Sequence, residues 1–292
     1  MASLFVFLRK VFRLSFSVLF ALAGALSSPA SVVSGGFALE KEWEYPYSDG
    51  AAFCQGITSD GDYLYGTGCI KFLNYNAIVK IDAETGEIVA CRDMCLPAEI
   101  VKKGYSHLGD CSYHDGKIYA ACEAFFFKDP AVMVFDAETL DFLEYHVLPI
   151  EGQGNGHIPW VCVKDGMIYY TQARDVDEVR MLRLSDFTYF GTVKMDQTVT
   201  KITGGAVLDG TLYLSGNDGS DEKITYAVDL TTGETTQAFV RGMGNTFSEA
   251  EGLSIRETES GVLFDYVDVL FASKTVIRTY RLEKSLDFEH DF

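Results

Sequence analysis

From residue 54 onward the chain alternates short apolar runs with Asp-Gly or Gly-rich turns. Five stretches fall on one pattern of apolar strand, turn, and hydrophobic-Tyr strand: CQGITSDGDYLYGTG, GDCSYHDGKIYAACE, PWVCVKDGMIYYTQ, GGAVLDGTLYLSGND and EGLSIRETESGVLFDY. Aligned on Gln55, Asp110, Trp160, Gly204 and Glu251, they recur at steps of 55, 50, 44 and 47 residues. Each is followed by a second hairpin, as in NAIVKIDAETGEIVAC, AVMVFDAETLDFLEYHV and ITYAVDLTTGETTQAF, which turns at Asp-x-x-Thr-Gly or a variant of it. Val, Ile, Tyr and Phe between Gly/Asp turns mark strands, and Asp-Gly permits the positive φ of tight hairpins. No sustained 3.6-residue apolar period follows residue 40, so few helices are expected.

Four strands per unit of about fifty residues is the mark of a β-propeller. The expected fold is all-β, with five four-stranded blades. Little follows the third strand of the last unit, so FALEKEWEYPY, ahead of the first unit, supplies the missing outer strand and closes the ring. Six blades is the alternative count, with the two ends forming a degenerate unit. The propeller domain is taken as residues 36–292.

Residues 1–35 stand apart. Arg9, Lys10 and Arg13 precede the apolar run LSFSVLFALAGAL and the small-residue stretch SSPASVVSGG, the order of a secretory signal cleaved after Ala30. An uncleaved anchor is the other reading, although the apolar run is short for a span. Removing the segment takes the formal net charge from −18 to −21. Such a surface repels nucleic acid and anionic lipid, and suits cationic ligands or divalent cations. An exported monomer acting on a small molecule or peptide is expected.

Seven cysteines in an exported chain suggest disulfides. The expected pairs are Cys54–Cys69, Cys111–Cys122 and Cys91–Cys95, with Cys162 left over. The first two depend on strand register, and seven reduced core thiols is the alternative.

Candidate chemistry lies where the inner strands approach the axis. Asp110, Glu251 and His107 are candidate catalytic groups, and Gln55, His157, Trp160, Asn155 and Lys201 candidate ligand-binding groups. Asp110, His107, His157 and Glu251 would also hold one divalent cation. Carboxylate oxygens favour calcium, whereas the histidines favour zinc or iron. The alternative is that these groups satisfy loop backbone and line a water-filled tunnel. His114 and Glu123 are assigned to the hairpin itself, and the acids of DAETG and DAETL to turns. Strand parity matters here: residues three apart, such as His107 and Asp110, face opposite ways on a regular strand unless a bulge intervenes.

Phe53-Cys54-Gln55-Gly56-Ile57, then LYGTG and KIDAETGEIV, resembles the opening blade of plant-type glutaminyl cyclotransferases. Those enzymes are five-bladed propellers that cyclise N-terminal glutamine with loss of ammonia. Gly109-Asp110 matches the acid after glycine in their second blade, with Cys111 where the family has glycine. Thr203-Gly204-Gly205-Ala206 replaces the family's acidic fourth-blade opening, and Glu251-Gly252-Leu253 lacks its asparagine. The resemblance implies that Asp110 moves a proton from the attacking amine to ammonia without a metal. Gln-Gly and Glu-Gly openings also occur in sugar-lactonase-like propellers, so a hydrolase is a second expectation. A third is a non-catalytic recognition module, with Trp160 and Phe125 to Phe127 as its apolar patch.

Overall fold

A computed structural model describes residues 36–47, 53–70, 75–124, 126–217, 222–242, 248–270 and 274–283. The expected signal segment, its cleavage point and Phe125 lie outside the described residues.

The strands are β1 (Phe37–Pro46), then β2 (Gly56–Ser59), β3 (Tyr63–Ile70), β4 (Tyr75–Asp82) and β5 (Ile88–Asp93) of blade 1. Blade 2 holds β6 (His107–His114), β7 (Lys117–Ala124), β8 (Lys128–Asp136) and β9 (Phe142–Val147). Blade 3 holds β10 (Cys162–Lys164), β11 (Met167–Tyr170), β12 (Val176–Arg183) and β13 (Tyr189–Val199). Blade 4 holds β14 (Ile202–Leu208), β15 (Thr211–Gly216), β16 (Glu222–Asp229) and β17 (Thr235–Gly242). Blade 5 is β18 (Ser248–Thr258), β19 (Gly261–Leu270), β20 (Lys274–Leu282) and, on its outside, β1. The ring is therefore five-bladed, and β1 pairs antiparallel with β20 from Phe37↔Leu282 to Pro46↔Lys274. This joins the two ends of the propeller and covers the edge that β20 would otherwise present.

Five hydrophobic clusters fill the five blade interfaces. Alternate residues of one strand serve two of them: Ile118, Ala120 and Cys122 of β7 pack toward blade 1, Tyr119 and Ala121 toward blade 3. Inner strands are thus buried on both faces and read as nearly continuous apolar runs. Outer strands such as β5 and β9 carry mostly exposed or half-buried residues. Hydroxyls join neighbouring inner strands. Thr58 Oγ1 accepts the Tyr113 amide at 2.7 Å, and Ser112 Oγ accepts that of Val163 at 2.9 Å. The acids of the outer turns are structural: Asp82 and Asp136 each accept amides two and three residues on.

The cysteines are corrected. All seven are thiols, with no disulfide among them. A bulge in β6 pairs Cys111 with Ala120 and Cys122 with Leu108, so the two are out of register. Cys54 Sγ donates to the Cys69 carbonyl rather than meeting its sulfur. Cys91 is exposed, while Cys95 turns inward onto Asn76 Oδ1 at 3.3 Å.

Candidate functional site: the axial mouth

Asp110 sits on the axis with no solvent exposure. Oδ1 accepts the amides of Ile57 at 2.8 Å and Cys111 at 2.9 Å, and Oδ2 accepts that of Leu253 at 3.1 Å. The Gly205 amide also donates to the carboxylate, and the Asp110 amide donates to the Pro159 carbonyl at 2.8 Å. One residue therefore contacts all five blades. Burial drives its pKa well above the usual carboxylate value, against the pull of those amides. A Cβ on Gly56, Gly204 or Gly252 would come within 2.9 Å of an Asp110 oxygen. Asp110 thus lies among Gly56, Gly204 and Gly252: Gly204 is the residue the sequence alignment sets against it, whereas Gly56 and Gly252 each stand one position after the expected Gln55 and Glu251. Beyond it the axis opens into a cavity of about 160 Å³ lined in part by Thr58, Ser112, Cys162, Lys164 and Ser254.

His107, three residues earlier, faces a different environment. The bulge between Leu108 and Cys111 breaks strict alternation, and His107 pairs directly with Glu123 across the hairpin. His107 Nδ1 contacts Glu123 Oε2, and Nε2 lies 2.9 Å from Gln55 Oε1. Glu123 Oε1 accepts the Ile158 amide at 2.6 Å. The Gln55 amide nitrogen donates to the Cys54 carbonyl at 3.0 Å, which fixes the carboxamide with its oxygen toward His107. A carbonyl oxygen only accepts, so His107 Nε2 carries a proton. The His107–Glu123 pair is either imidazolium with carboxylate or imidazole with carboxylic acid, and both forms present an N–H at the mouth.

His157 completes the mouth. One ligand atom each from His107, Glu123 and His157 lies within 4.8 Å of the others. Asn155 Oδ1 accepts the His157 amide at 3.0 Å, so Asn155 shapes this turn. The Phe127 ring stacks on His157 with centroids 4.0 Å apart. On the other side, Glu251 and the exposed Glu249 are near enough to raise the Cys54 thiol and the Tyr47 hydroxyl, although burial is the larger cause for both. The Cys54 thiol is pushed up to about 12.

The structure thus brings His107, His157 and Gln55 together, and adds Glu123. Asp110 does not join them as a metal ligand or proton carrier, because its oxygens are occupied by backbone amides. Glu251 is buried at the Cys54–Tyr47 side and is not in the three-residue cluster. Trp160 is corrected: it is fully buried between blades 3 and 4, its ring against Gly205 and its Nε1 donating to Thr171. Lys201 is exposed at positive φ, its carbonyl accepting from Asn217. His114 lies at the opposite end of the hairpin. Two nitrogens and one carboxylate suit zinc-like cations rather than the calcium expected from an oxygen-rich set. Counting across Asp115-Gly116 and allowing one bulged residue would have found the His107–Glu123 pair.

No protein-family model and no curated protein matches the sequence. Among solved structures, the chain is similar to a glutaminyl cyclase from Myxococcus xanthus. The TM-score is 0.57 at 12% identity, over 83% of this chain and 96% of that one. It also resembles the major allergen of Malassezia sympodialis, with TM-score 0.50, 11% identity, and coverage of 82% and 81%. A tail fibre of Staphylococcus aureus phage P68 matches at TM-score 0.54 and 14% identity, where 80% of this chain spans half of the fibre chain. Likeness at these identities is a likeness of fold.

Proposed function

We propose that the mouth transfers an acyl group from a carboxamide to an amine of the same molecule, cyclising N-terminal glutamine with release of ammonia. The observation that carries this reading is the His107 N–H held on a carboxamide oxygen, that of Gln55, while Glu123 holds the other ring nitrogen. A substrate carboxamide replacing Gln55 would receive the same hydrogen bond, which polarises its carbonyl. Glu251 and Glu249 suit the resting cationic form of the amine, which gives its extra proton to solvent before it attacks. The amine nitrogen attacks the carboxamide carbon, the new C–N bond forms, and the bond to the departing nitrogen breaks. His107 gives its Nε2 proton to that nitrogen, and the pair regains one proton from the attacking amine, so the proton balance closes. Likeness in fold to a glutaminyl cyclase supports the reading. So does the first-blade resemblance, with the proton-carrying role moved from Asp110 to His107 and Glu123. We place this activity outside the cytoplasm, on the N-terminal basic and apolar segment, in a monomer acting on peptides.

The test is mass spectrometry of a Gln-initiated peptide incubated with purified chain, reading loss of 17 mass units (one ammonia). Turnover that disappears in His107→Ala supports the reading, and absence of turnover in the wild type sinks it. A second reading is favoured by the His107, Glu123 and His157 cluster, namely that it holds a zinc-like cation that assists hydrolysis. In that case elemental analysis after dialysis finds about one metal per chain, lost in His157→Ala. A metal-free chain that still cyclises the peptide decides against it.

A further inference from the structure

The inner strands β2, β6, β10, β14 and β18 each stand at the end of their sheet, so one edge of every strand faces the axis. Two residues beyond the level of Asp110 they carry Thr58, Ser112, Cys162, Ala206 and Ser254. At three of the five junctions that side chain accepts the edge amide of the next blade. Thr58 Oγ1 takes that of Tyr113, Ser112 Oγ that of Val163, and Cys162 Sγ that of Val207. The junctions on either side of blade 5 stay open. Ala206 has no acceptor to offer the Ile255 amide. Ser254 is 6% exposed, and its hydroxyl makes no hydrogen bond among the described residues. The Ile57 and Leu253 amides reach Asp110, so the Ser59 and Ile255 amides, two residues further along regular strands, point over the same edge. Among the described residues no group accepts either one.

Ser59, Ser254 and Ile255 all line the cavity of about 160 Å³ on the far side of Asp110 from His107. Lys164 lines it as well and pairs with no acid among the described residues. Burial raises the Cys162 thiol, and Lys164 stands near enough to pull it the other way. In a chain of formal net charge −18, Lys164 is the one charged residue in the described lining. We propose that this cavity binds a short-chain carboxylate. Two oxygens offer lone pairs to the Ser59 and Ile255 amides and to the Ser254 hydroxyl between them, while Lys164 supplies the opposite charge. The space is several times what one water or halide occupies, and Val207 and Leu253 in its wall suit a short hydrocarbon tail. Asp110 and the amides it holds separate this site from the mouth, so the inference does not rest on the cyclisation reading.

The experiment titrates the purified full chain with acetate, acetamide and chloride by calorimetry at fixed ionic strength. Acetate should bind with a Kd of about 1 mM, and acetamide and chloride about tenfold more weakly or worse. Lys164→Gln should weaken acetate about tenfold through loss of the charge. Ala206→Ser gives the Ile255 amide the acceptor that Thr58 gives Tyr113, so it should close that junction and weaken acetate about tenfold too. Melting curves check that each variant is folded, and Lys164→Gln alone decides where Ala206→Ser is not. Acetamide or chloride bound as tightly as acetate overturns the site. So does acetate binding that is absent in the wild type, or unchanged in either folded variant.

Discussion

Asp110 and His107 lie three positions apart on β6, and their surroundings assign them to different work. The oxygens of Asp110 are met by main-chain amides from four blades, and its own amide reaches the fifth. Nothing in that arrangement can move without leaving buried amides unmet. His107 is held by side chains alone, those of Glu123 and Gln55. Side chains can turn aside for a ligand at modest cost, whereas main chain in a closed ring cannot. The axial acid therefore organises the fold, and the histidine above it is available for chemistry.

The sharpest way to break this division is a crossed pair of substitutions. Asp110→Ala strands the Ile57, Cys111, Gly205 and Leu253 amides. At about 1–3 kcal/mol for each unmet buried group, a loss of about 4 kcal/mol is expected, or roughly 10 °C in melting temperature. Glu123→Gln keeps an oxygen for the Ile158 amide while weakening the hold on the His107 proton. Turnover should fall by about a hundredfold, with stability changed by less than about 1 kcal/mol. Calorimetric melting and the cyclisation assay on both variants check this. A stable, inactive Asp110→Ala would return Asp110 to the chemistry and dissolve the comparison.

Blade count, ring closure by the N-terminal strand and the structural role of the DAET turns were legible because turn chemistry and strand period repeat five times. The site was legible only in part. His107 opens an inner strand and His157 and Gln55 lie just before theirs, where the propeller pattern alone points to the axis. Gln55 and Glu251 are expected level with Asp110, whereas the glycines that follow them meet it; bulges in β6 and β18 alter the register there and leave no mark in the sequence. Glu123 was hidden by the same bulge. Trp160 looked like a ligand-binding aromatic, yet the absence of a side chain on Gly205 makes room for its ring in the core. That complementarity joins residues 45 positions apart, and no local pattern reports it.

A finer test addresses how tightly the axis is closed. A Cβ on Gly252 would sit 2.6 Å from Asp110 Oδ1 and 2.7 Å from the Gly56 Cα. Gly252→Ala should cost about 1–3 kcal/mol through overpacking and lower the melting temperature by roughly 5 °C. Turnover below the transition should survive, because the His107–Glu123 pair is held from blades 1, 2 and 3. Turnover lost with stability intact would mean that the axis and the mouth are one unit.

The smallest effect tests why one kind of contact has opposite consequences inside and outside. Asp82 and Asp136 accept main-chain amides as Asp110 does, but they stand in water at the outer turns. There the amide bonds dominate and hold both carboxyls below the ordinary value. A lowered folded pKa means that the unfolded chain binds protons first on acidification. The stability these turns contribute is present above about pH 4 and is lost as pH falls through the lowered values. Asp110, raised by burial, has the opposite sign: its contribution is largest in acid and declines as pH rises through its folded value. The double variant Asp82→Asn, Asp136→Asn should therefore lose less stability than wild type between about pH 4 and pH 2, read as melting temperature against pH. Parallel acid limbs in the two proteins would show that the amide bonds at these turns do not discriminate between charged and neutral carboxyls. Burial would then be the only difference between the axis and the rim.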